Sequence, residues 1–83
     1  MSNYKRARKY LENACFGILH DILNECNFSE DEKLLFENKY IKKKLKENLC
    51  EFVLFVRNNA YHKRLNKVLA KVEFWLHSKE NKI

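Results

Sequence analysis

Residues Arg57 to Leu76, RNNAYHKRLNKVLAKVEFWL, carry the most regular helical pattern in the chain and its most one-signed run of charge. At about 100° per residue, Tyr61, Leu65, Val68, Leu69, Val72, Trp75 and Leu76 gather into one apolar stripe. Asn59, Lys63, Asn66, Lys67 and Ala70 fall on the opposite face. Between Arg57 and Lys71 stand five cations (Arg57, Lys63, Arg64, Lys67, Lys71) and no acid. A helix fixed to a core on one side and cationic on the other is suited to an anionic partner.

The remainder of the composition narrows the fold. At 83 residues the chain is a single domain, 1–83. A domain of this size buries only about 60% of its unfolded surface. With 46% apolar and 34% charged residues it reads as a folded globule rather than a disordered segment. One glycine and no proline leave almost nothing to build the tight turns of hairpins, sandwiches or barrels. The class expected is therefore all-α, a small four-helix domain. The net charge is +6 and unevenly spread: residues 1–38 carry five cations against seven acids, residues 39–83 twelve against four. That asymmetry directs the C-terminal half toward nucleic acid, an acidic protein or a membrane surface. A solvated lysine-rich surface is the plain alternative. Three cysteines (Cys15, Cys26, Cys50) without a Cys-x-x-Cys spacing read as small hydrophobes in a reducing, cytoplasmic setting. Glu12, His20 and Asp21 interrupt the early apolar segment, so neither a signal peptide nor a membrane span is expected.

The helices are expected at about 3–26, 30–41, 45–56 and 59–77. In the first, Tyr4, Ala7, Leu11, Cys15, Ile18, Ile22 and Cys26 form a stripe that places Cys15 and Cys26 on the buried side. Its start, Lys5-Arg6-Ala7-Arg8-Lys9, opposes the helix dipole, which points either to a fraying end or to a reason outside folding. Gly17 is attributed to close helix packing, and Asn27 to a left-handed stop. Ser29-Glu30-Asp31-Glu32 is a capping-box signature and the firmest boundary in the chain. The second helix then carries Leu34, Leu35, Phe36, Tyr40 and Ile41 and breaks in Lys42-Lys43-Lys44. The FVLFV run of the third segment has strand propensity but no partner strand. Arg57-Asn58-Asn59 forms the turn before the last helix, and the tail from Ser78 frays.

Catalytic chemistry is thin. His20, His62 and His77 are scattered, no phosphate-cradling glycine loop exists, and neither an enzyme nor a cofactor is expected. The order of pieces from Phe28 to Leu76 is more informative. SEDEKLLFENKYI (Ser29 to Ile41), LKENLCEFV (Leu45 to Val53) and VRNNAYHKRLNKVLAKVEFWL (Val56 to Leu76) together resemble the sigma-70 region 4-like helix-turn-helix of phage transcriptional regulators, the ArpU and RinA type. The chain departs from that pattern at Leu54 and Phe55, where the family places Gly or Asn, and at Asn58, Asn59 and Ala60, where it favours Ser and Thr.

The resemblance implies a DNA-binding regulator of phage or mobile-element type, its last two helices a helix-turn-helix. The second helix of such a motif enters the major groove. Asn59, Lys63, Asn66 and His62 would then meet base edges, with Asn58 in the same nucleic-acid-binding surface. Arg57, Arg64, Lys67, Lys71 and Lys42, Lys43 and Lys44 would neutralise phosphates. Phe74, an aromatic on the polar face, marks a contact that would join a homodimer. Two other readings fit the same cations: a small helical protein that binds and inhibits a protein partner, and a helical protein that recognises double-stranded RNA by shape.

Overall fold

The structure, a computed structural model, describes residues 4–50 and 56–80, apart from the side chains of Lys46 and Glu80. It is all-helical, with no strand among the described residues. The order is α1 (Lys5–Asn13), α2 (Phe16–Glu25), α3 (Glu30–Phe36), a π-helical continuation of α3 (Glu37–Ile41), α4 (Lys46–Asn48) and α5 (Asn58–Glu80). At 1.5 Å per residue the 23 residues of α5 reach about 34 Å, most of the molecule's 42 Å long axis. Helices α1 and α3 pack on α5, and α2 packs on the π segment.

The stripe of α5 is its glue. Tyr61, Leu65, Val68, Leu69, Val72 and Leu76 are buried, and Trp75 is half-buried beside them. They meet Ala7 and Leu11 of α1, Leu19 and Ile22 of α2, and Leu35 and Phe36 of α3 in one core. Phe28, Phe36 and Tyr40 add an aromatic ladder with centroids 5.4 and 5.3 Å apart. Leu49, fully buried, anchors the segment after α4.

The expected 3–26 helix is two helices. Ala14 (ψ 143) and Cys15 (ψ 167) are extended, and the Asn13 amide donates back to the Lys9 carbonyl at 2.9 Å. A side chain that bonds the backbone in this way competes with helix continuation. The two extended residues reset the phase of the stripe. Leu19 and Ile22 take over the core from Leu11, while Cys15 and Phe16 turn to solvent. Burial of Cys15 is thus corrected; Cys26 is buried as expected. Gly17 needs another explanation than packing, because a Cβ there would meet nothing within 4 Å. Nor is Asn27 a left-handed stop: α2 ends at Cys26 in extended backbone, and among described residues only Tyr4 and Lys43 have positive φ.

The capping box forms as the sequence predicts. Ser29 Oγ accepts from the Glu32 amide at 3.3 Å, and Glu32 Oε1 accepts from the Ser29 amide at 2.8 Å. Helix α3 and its π continuation together span the expected 30–41. The break in the lysine run also occurs, with Lys43 at φ 56 and the Lys44 amide returning to the Asn38 carbonyl at 2.9 Å. Of the 45–56 helix, α4 and a π turn at Leu49 and Cys50 are seen, and residues 51–55 lie outside the described residues. Helix α5 exceeds its expected 59–77 at both ends. Asn58 and Asn59 belong to its first turn, not to a preceding loop.

Candidate nucleic-acid interface

The environment of each cation on α5 is set by where helical rotation places it. Asn59, Lys63, Asn66 and Lys67 are exposed along the face opposite the buried stripe, His62 is exposed at its edge, and Arg57 and Asn58 are exposed at the helix start. Lys63, Lys67 and Arg57 have no acidic partner among the described residues. Arg64 and Lys71 lie on the flank that meets α3. Arg64 Nη2 stands 3.6 Å from Asp31 Oδ2. Lys71 Nζ donates to Glu32 Oε1 at 2.6 Å and to the Asn27 carbonyl at 2.7 Å. Lys71 therefore ties α5 to the start of α3 and is not presented to a partner. The five same-sign charges divide into three that face outward without an acid and two that meet acids of α3.

Glu32 is the acid that makes this flank work. Burial pushes its carboxyl upward, but hydrogen bonds from Lys71 and Ser29 outweigh that and hold it below the usual glutamate value. Cys26 lies close by, its thiol 3.9 Å from the Lys71 carbonyl. Burial, together with the charge of Glu25, raises that thiol to about 11.

In the lysine run, Lys42 pairs with Glu37 at 3.7 Å, while Lys43 and Lys44 are exposed. Three residues before the run, Lys39 Nζ donates to the Tyr61 hydroxyl at 3.0 Å, which moors the π segment to the first turns of α5. The run thus leaves from beside the N-terminal end of the exposed face. The turn expected from Leu54-Phe55 into α5 lies outside the described residues.

No family model, characterised protein or solved structure matches this chain.

Two groupings of residues were not expected from sequence, although Lys43 and Phe74 within them were singled out. Arg8, Lys39 and Lys43 converge with Leu11, Glu12 and Tyr40 around a cavity of about 310 Å³. Of these, Arg8 carried a signal, since it belongs to the basic cluster set against the α1 dipole. A groove of about 520 Å³ lies between the end of α2 and the C-terminal half of α5, with Phe74 on its wall. Phe74 is 74% exposed, as its place on the polar face implied. Trp75 closes the other side, its indole N–H donating to Glu25 Oε1 at 3.0 Å beneath Lys79.

Proposed function

We propose that the chain is a DNA-binding regulator that lays the exposed face of α5 against the duplex. The observation that supports this reading is the sorting of charge on α5. Acids of the N-terminal half engage Arg64 and Lys71, and no acid among the described residues engages Arg57, Lys63 or Lys67. The amides of Asn59 and Asn66 on that face, the imidazole of His62 at its edge and the amide of Asn58 at the exposed helix start can pair with base edges, Asn with adenine in particular. Arg57, Lys67, Lys43 and Lys44 supply phosphate contacts. The phage-regulator resemblance agrees in assigning α5 to the groove. A second copy joined through Phe74 would bring two such faces to one duplex.

Titration of duplex DNA at two salt concentrations tests the reading. Lys63→Ala and Lys67→Ala should each weaken binding and lower the salt slope by about 1. Unchanged affinity in both at low salt ends the proposal. Equal affinity for any RNA duplex would move the reading to RNA shape recognition.

A further inference from the structure

We infer that the cavity between α1 and the π segment seats a phosphoryl group. Its walls bring three cations, Arg8, Lys39 and Lys43, against one carboxylate, Glu12. Lys39 is the centre of the argument. Lys39 is half-buried, and its ammonium donates to the Tyr61 hydroxyl at 3.0 Å and lies 5.6 and 5.7 Å from the ring centroids of Tyr40 and Tyr61. No carboxylate among the described residues pairs with it. A partly desolvated cation without a counter-charge is costly, and an anion in the cavity removes that cost.

The neighbours suit a phosphoryl oxygen set. Arg8 offers a planar fork of donors, and Lys39 keeps two donors beyond the one given to Tyr61. Lys43 holds φ 56, a conformation that favours glycine or asparagine, yet the position, on the cavity wall, carries a lysine. The cavity's volume of about 310 Å³ also leaves room for a sugar against Leu11 and Tyr40. The seat lies off the exposed face of α5 and stands without it. The phosphoryl group has two sources, a nucleic-acid backbone or a free phosphate ester.

Two-dimensional amide NMR of the full chain tests this, with inorganic phosphate titrated against chloride at matched ionic strength. Saturable shifts are expected at Arg8 and at residues 39–43. Lys39→Gln and Lys43→Asn should each weaken phosphate about tenfold or more, and Lys63→Ala should leave it unchanged. Asn tolerates the left-handed backbone, so Lys43→Asn remains informative if Lys39→Gln fails to fold. Non-saturating shifts spread over all the lysines would overturn the seat, as would undiminished affinity in a folded variant. Competition then assigns the source. Displacement of phosphate by duplex DNA identifies a backbone phosphate, and displacement by a nucleoside 5′-monophosphate but not by duplex identifies a free ester; either upholds the seat. Duplex that does not bind at all removes the DNA-binding reading and leaves the seat standing.

Discussion

The flank of α5 that meets α3 and the face that meets solvent carry the same kind of residue in opposite states. On the flank, Lys71 is bonded to Glu32 and Asn27, and Arg64 faces Asp31. On the outer face, Lys63 and Lys67 have no acid within reach among the described residues. The acids of residues 1–38 thus neutralise one edge of the basic half and leave the other uncovered. A uniformly solvated lysine surface would show no such division. The contrast separates cations that hold the fold from cations available to a partner, and each group predicts a different response to substitution.

The largest effect is expected at Glu32. Its carboxylate serves both the capping box and Lys71, so Glu32→Ala leaves the Ser29 amide without a partner and the Lys71 ammonium, still bonded to the Asn27 carbonyl, without its counter-charge. The expected loss is about 2–3 kcal/mol in urea unfolding; Lys71, with its side chain 38% exposed, keeps it below the cost of breaking a fully buried pair. The same carboxylate gives a pH signature. Because its pKa is depressed in the fold, its stabilisation is present above the ordinary value near 4.5 and disappears as pH falls through the lowered value. Glu32→Gln should flatten the acid limb of a stability–pH curve. An unchanged acid limb would show that the α3 flank does not depend on this charge.

A smaller loss is expected at Glu73, where the exchange runs the other way. Helix α1 opens on Lys5, Arg6 and Arg8 with no acid in its first turn. Glu73, on α5, supplies the missing negative group: its Oε1 accepts from the Ala7 amide at 2.8 Å. A carboxylate at a helix N-terminus satisfies an orphan donor and complements the dipole. Glu73→Ala should cost about 1–1.5 kcal/mol, read as lost stability and as faster amide exchange in residues 5–9.

These pairs also mark what could be read from the chain. The capping box joins Ser29 and Glu32, three residues apart, and was fully legible, as were the α5 stripe and the break in the lysine run. Glu73 with Ala7 and Lys71 with Glu32 join residues 66 and 39 apart, and no periodicity announces them. The break at Ala14 was hidden for a different reason. Neither glycine nor proline punctuates Asn13-Ala14-Cys15, and Leu11 to Cys15 has the spacing of an unbroken helix. Only the need to bring Leu19 and Ile22 to the core exposes the slip. The outward face of α5 was legible as a face. That Arg64 and Lys71 would leave it was not, because their acids lie on another helix.

Gly17 offers a control remote from both edges of α5. It stands in the first turn of α2 with open space where a Cβ would go, so Gly17→Ala should add about 0.5 kcal/mol through helix propensity alone. A loss instead would show that the slip at Ala14 and Cys15 needs the freedom of glycine beside it.

The smallest effect on stability is expected where the effect on binding is largest. Lys63 and Lys67 are exposed and make no ion pair among the described residues, so replacing either by alanine should shift unfolding by no more than about 0.5 kcal/mol. Lys67→Ala could even stabilise slightly, since it relieves repulsion on a helix with few acids. The decisive measurement sets these variants beside Lys71→Ala under the same conditions. If Lys67→Ala destabilised as much as Lys71→Ala, the outer face would be structural after all, and its charge would need no partner. If only Lys71→Ala destabilises while only Lys63→Ala and Lys67→Ala weaken duplex binding, the two edges of α5 are doing separate jobs. In that case the unpaired positive charge of residues 57–71 is confined to the edge left open to a ligand.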